Sequence, residues 1–125
     1  MKRWLIIAGA LCLLTAILII RVWNGPTFDR AKLAAIRAEA HALMRTHPSP
    51  ASGDWVDVPP RDWPRTIAGL HPERVQVTGW GLNIATKSYF DGGWGYHIPR
   101  DRNGLPMPPG CYSEPSAGVF WHGPC

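Results

Sequence analysis

Three histidines and two cysteines supply the softest ligand chemistry in the distal part of this chain: His71, His97, His122, Cys111 and Cys125. His122 and Cys125 stand three positions apart. With Cys111 and His97 they can complete the four-coordinate nitrogen–sulfur set that zinc prefers. The same two thiols can instead form a disulfide, and an oxidised cysteine does not ligate. No CxxC or HxxxH spacing accompanies them, so the expectation is a Cys111–Cys125 disulfide with ordinary histidines, no metal and no cofactor. That cross-link closes a short ring, worth about 3 kcal/mol by loop entropy.

Nucleophilic chemistry has less support. Ser88, Ser113 and Ser116 sit outside any G-x-S-x-G elbow. Asp91 and His97 can approach each other across a hairpin, yet no activated nucleophile stands beside them. The carboxylates Asp57, Asp62, Asp91, Asp101 and Glu114 all fall in turn or cap contexts rather than as an acid–base pair. No glycine-rich phosphate loop precedes a helix. The expectation is a non-catalytic binding or accessory component of a bacterial cell envelope. The alternatives are a small envelope hydrolase or metal-dependent enzyme using His97 and Asp91, and an inhibitor or immunity-type module that inserts loop 100–118 into a target.

Aromatic residues are the remaining anomaly. Five of the seven tryptophans lie between Trp55 and Trp121, more rings than a small sheet easily buries. Trp80, between two glycines, is the best candidate for exposure. Trp80, Trp94, Tyr96, Arg100 and Arg102 are therefore the candidate contact surface for a protein or polysaccharide.

The elements that must position these residues follow from pattern. In "YFDGGWGYHIPR" (89–100), Asp91-Gly92-Gly93 is a turn signal, followed by Trp94, Tyr96 and Ile98 in strict alternation. Upstream, Val75 and Val77 alternate, as do Leu82 and Ile84, with Gly79-Trp80-Gly81 as the joint. A further short strand is expected at Val119–Trp121, for three to four antiparallel strands in all. Before them, "DWPRTIAGL" reads as a short helix, with Asp62 as cap, Pro64 early and Gly69 at the end, carrying Trp63, Ile67 and Leu70 on one side.

Residues 24–47 read as an amphipathic helix with Thr27 as N-cap and Asp29 in its first turn. Leu33, Ile36, Ala40, Leu43 and Met44 form its apolar stripe. That stripe either docks on the chain's own domain or offers Leu33, Ile36, Leu43 and Met44 to a partner helix. A third reading lays it on lipid, with Arg30, Arg37 and Arg45 against headgroups. Residues 48–54 form a Pro/Ser/Gly linker to a domain at 55–125.

The first 23 residues run uncharged from Trp4 to Ile20 between Lys2-Arg3 and Arg21, with tryptophans at both ends. The run is long for a signal peptide and no A-x-A site follows it, so an uncleaved single-pass anchor over residues 4–23 is expected. Its short cationic tail and the distal cysteines place the rest of the chain in the periplasm of an inner-membrane protein. The net charge of +4 is unevenly distributed: residues 1–53 hold seven Lys/Arg against two Asp/Glu, and residues 54–125 hold six against seven. A nearly neutral domain lacks the cationic footprint of a nucleic-acid binder, so no nucleic-acid partner is expected.

The string "DWPRTIAGLHPERVQV…GLNI…GWGYHIPR" resembles small uncharacterised bacterial single-pass membrane-anchored proteins with a WPxxIxxLxPxxVxV core. The resemblance spans roughly residues 58–100. It implies a small α+β envelope domain and carries over no activity, ligand or site residue. The expected fold is therefore α+β: a transmembrane helix, an amphipathic juxtamembrane helix, then a small antiparallel sheet with one short helix.

Overall fold

A 17-residue helix with one apolar face cannot stand alone in water; it has to lie on something. In the computed structural model, which describes residues 2–23, 25–49, 53–90, 92–101 and 104–125, that support is an antiparallel sheet. The helix, α2 (Arg30–Thr46), presses Leu33, Ile36, Ala40, Leu43 and Met44 onto it. The stripe is thus covered by the chain's own sheet, Leu33 and Ile36 completely. Its apolar atoms are not free for a partner helix or for lipid, which corrects that pair of readings.

The helix starts two residues later than its pattern suggests. Asp29, not Thr27, is the N-cap: its Oδ1 accepts from the N–H groups of Ala31 and Lys32. Thr27 is engaged elsewhere, its N–H donating to the Tyr96 hydroxyl at 2.7 Å. Pro48 and the linker follow the helix C-cap, His47.

The sheet has six strands where three or four were expected: β1 (Trp55–Asp57), β2 (Arg74–Thr78), β3 (Gly81–Tyr89), β4 (Gly92–Pro99), β5 (Tyr112–Ser116) and β6 (Val119–His122). Their order is β1-β2-β3-β4-β6-β5, every neighbouring pair antiparallel. Strand alternation sends Val75, Val77, Leu82, Ile84, Tyr96 and Ile98 to the face under α2, all of them buried. A short helix, α3 (Arg65–Ala68), closes one side of the core with Ile67. Its free N-terminal N–H groups are capped from afar: Glu39 of α2 accepts from Thr66 and Ile67 through both carboxylate oxygens, at 3.0 and 2.9 Å. Asp62, the cap suggested by sequence, lies instead in a 3₁₀ turn (Pro60–Asp62) and faces His47 at 3.5 Å.

At the other extreme stands α1 (Lys2–Trp23), about 33 Å long. Its Lys2–Ile19 stretch has a mean hydropathy of 1.9 and none of it is buried, so by length and composition it can cross a membrane or serve as a signal sequence. Cys111 and Cys125 form a disulfide, with Cα atoms 5.8 Å apart. It ties the loop before β5 to the last residue of the chain.

Candidate functional site

One face of the sheet has a helix over it and the other has only a loop. The residues that alternate with the core positions point to that second face: Gln76 opposite Asn83, Asn83 opposite His97, and His122 opposite Gly95 on the next pair. They are polar, and they form the floor of a groove. The segment from Gly104 to Cys111 crosses its edge, held at one end by His97 and at the other by the disulfide.

Two adjoining cavities make up the groove, about 240 and 170 Å³, sharing Asn83, Met107 and His122. Trp80, His97 and Tyr112 wall the first. Trp94, Lys87 and Arg74 wall the second, with the Lys87 ammonium 5.8 Å from the Trp94 ring centre. Aromatic walls over an amide-and-imidazole floor can stack a flat or apolar surface while donating and accepting neutral hydrogen bonds.

The histidines are tuned to stay uncharged. His97 is buried, and burial pushes its pKa down; the Gly104 carbonyl beside its ring works in the opposite direction, and His122 adds to the lowering. Its Nε2 lies 2.6 Å from the Gly104 oxygen, and a carbonyl only accepts, so Nε2 carries the proton. His122 is likewise lowered by burial, opposed by the backbone of Gly123 and Gly93. Its Nε2 meets Asn83 Oδ1 at 3.3 Å, and its buried Nδ1 has no hydrogen-bond partner among the described residues. Tyr112 packs edge-on to His122 and Phe120, and burial raises its hydroxyl pKa.

The expected contact residues divide. Trp80 sits at the β2–β3 turn, 51% exposed, and Arg100 beside it is exposed and donates from Nη2 to the Thr78 carbonyl at 3.3 Å. Trp94 is partly buried at the other end of the groove. Tyr96 is not a contact residue: its ring is buried under α2, edge-on to Trp121, and its hydroxyl is taken by Thr27. Alternation on β4 explains the error, because Tyr96 shares its face with Ile98. Arg102 and Asp91 lie outside the described residues. Gly92, the first described residue after Asp91, is five positions from His97 along one strand, about 16 Å.

The zinc arrangement that used both thiols is not open to this chain while Cys111 and Cys125 are bonded to each other. Gln76, Asn83 and Met107 were missed by motif reading. Gln76 and Asn83 had a signal: they are the polar partners of Val75/Val77 and Leu82/Ile84 in a period of two. Met107 had none, since its place depends on how the loop returns.

A second depression, about 520 Å³, opens between α2 and the β4 and β5–β6 ends. Arg37, His41 and Arg100 face Glu114 and Asp101 there, so its charges are mixed. His41 is lowered by burial first and then by Arg37, Arg45 and Arg100.

No family model, no curated protein and no solved structure matches this chain.

Proposed function

We propose that this protein is a single-pass, membrane-anchored binding or accessory component of a bacterial cell envelope, with its sheet domain on the periplasmic side of the inner membrane. One combination carries the reading: α1 is apolar and uncovered from Lys2 to Ile19, and the domain that follows is pinned by a disulfide. A bare apolar rod of this length is costly in water and suits a bilayer. A disulfide persists where thiols are not kept reduced.

The binding element is the groove on the helix-free face, with Trp80 at its mouth. The apolar stripe of α2 is spent on the core, whereas the groove presents aromatic and neutral polar groups on the open face of the sheet. His97 has its Nε2 proton committed to Gly104 and offers no free base at that atom, which favours binding over catalysis.

A C-terminal reporter active only outside the cytoplasm tests the location, with thiol labelling of Cys111 and Cys125 before and after reduction. The expected result is an active reporter with labelling only after reduction. A soluble, N-terminally shortened product, or free thiols in native cells, would defeat the reading. Co-purification of an envelope partner by the wild type and its loss in Trp80→Ala tests the groove; equal recovery with both would remove the groove from the proposal.

A further inference from the structure

The exposed aromatic side chains of the domain fall at two opposite ends. Trp55 and Trp80 lie at one: Trp55 pairs with Thr78, where β2 turns into β3. Tyr89 and Phe90 lie at the other, on the β3–β4 turn, 59% and 95% exposed. The path of α2 says which end the first helix joins. Thr27, four residues after the end of α1, is bonded to Tyr96 midway along β4. From there α2 advances toward the Pro99 end: the Arg37 Nε lies over Gly118, and Arg37 and His41 share a cleft with Pro99 and Arg100. The helix thus runs away from Gly92, and its N-terminus, where the chain arrives from α1, looks toward the β3–β4 turn.

The lengths agree. Trp23 to Thr27 spans at most about 14 Å of extended chain. Tyr96 to Gly92 covers about 13 Å of strand before the turn begins. Phe28, 78% exposed, stands beside the same junction. We propose that the β3–β4 turn is a second membrane contact, with Tyr89, Phe90 and Phe28 entering the interfacial zone of the bilayer that carries α1. The inference rests on the anchor reading above.

Interfacial zones favour aromatic rings flanked by cations, and this end supplies both. Lys87 is two residues before Tyr89, and Arg30 and Lys32 open α2. Of the acidic neighbours, Asp29 caps α2 and Glu73 accepts the Ser88 N–H at 2.8 Å; Asp91, next to Phe90 in the turn, lies outside the described residues. Engaging the bilayer at two points fixes the tilt of the domain. Trp80 and the groove mouth then face away from the membrane, toward whatever the envelope presents.

The test is depth-dependent quenching with the full chain in vesicles of phosphatidylethanolamine and phosphatidylglycerol brominated high on the acyl chain. Three preparations each carry one thiol-linked fluorophore: native Cys12, Phe90→Cys with Cys12→Ser, and Arg61→Cys with Cys12→Ser. Phe90 and Arg61 are both solvent-exposed, so neither change reaches the core. The expected result is strong quenching at positions 12 and 90 and none at 61. Quenching at 12 with position 90 as bright as 61 overturns the second contact and leaves the anchor standing. A bright probe at position 12 overturns the anchor, and the inference with it.

Discussion

The two hairpin turns that bound β3 both carry exposed aromatic rings, Trp80 at one and Tyr89 and Phe90 at the other, and are held differently. At Gly79-Trp80 the backbone is braced. Thr78 Oγ1 accepts from the N–H groups of Trp80 and Gly81 at 3.2 and 3.3 Å, and the Trp80 carbonyl accepts from Arg100 at 2.9 Å. At Tyr89–Phe90, among the described residues, the Glu73 carboxylate holds Ser88 and Tyr89 packs edge-on to Trp94 at 5.4 Å, while Phe90 projects into solvent. A ring on a braced turn is preorganised and loses little entropy when a partner lands on it. A ring as exposed as Phe90 has no fixed pose until another phase supplies one. If the groove binds a partner as proposed, the braced end suits specific recognition and the Phe90 end suits a surface that needs no lock.

The sharpest way to break this comparison is to place the same methyl group at both ends. Gly81 has φ +153°, and a Cβ there would overlap the Ile98 carbonyl on the neighbouring strand. Gly81→Ala should cost on the order of 3 kcal/mol or more, since β3 and β4 must separate. Gly92, at φ +123°, opens onto empty space, so Gly92→Ala carries backbone strain alone, about 1 kcal/mol. Urea unfolding of the two variants in detergent measures the ratio. Equal losses would mean that both turns are equally held.

Acid is the next lever, and it acts on the groove. His97 and His122 have depressed pKa values in the folded protein, mainly through burial. An unfolded histidine titrates near about 6.5, so below that pH the unfolded chain binds more protons than the folded one. Stability is therefore full above about pH 7. It is lost as pH falls through 6 toward 5, by at most about 1.4 kcal/mol per pH unit for each histidine held neutral. His41, also lowered, is more solvent-exposed and adds less. His97→Gln keeps a donor for Gly104 and removes the titration. The slope of stability against pH between 7 and 5 should flatten in this variant; an unchanged slope would assign the acid sensitivity elsewhere.

Thr78→Val removes the brace without changing shape. Two backbone N–H groups at a half-exposed turn lose their acceptor, a cost of about 1 kcal/mol because water can replace part of it. Hydrogen exchange at Trp80 and Gly81 should accelerate while Tyr89 and Phe90 stay as they were. Acceleration at both turns would mean that the ends are coupled.

Much of this architecture could be read in the chain, for physical reasons that also explain the gaps. Val75, Val77, Leu82 and Ile84 alternate because one face of their strands is dry. Leu33 to Met44 recur at helical spacing because one stripe is dry. Burial writes a period into sequence. The two edge strands carry no such mark. Trp55–Asp57 is three residues long with no buried position, and Tyr112–Ser116 contains Pro115, which an edge tolerates and a central strand does not. Both exist because a neighbour offers a row of hydrogen bonds, information held elsewhere in the chain. The same holds for the site. Trp80 was legible from its glycines, whereas Glu39 capping α3 and Thr27 bonding Tyr96 are contacts between distant segments that no local pattern encodes.

The smallest expected effect isolates the free turn most cleanly. Phe90→Ser deletes a ring that touches almost nothing in the domain, so in detergent micelles its unfolding midpoint should match the wild type within about 0.5 kcal/mol. Trp80→Ala removes a half-buried indole from the groove wall and should cost somewhat more, about 1 kcal/mol, through lost contact with its surroundings. The ordering matters more than either value. A Phe90→Ser loss equal to or greater than that of Trp80→Ala would mean that the β3–β4 ring folds back onto the domain in solution, and the contrast between the two turns would no longer hold.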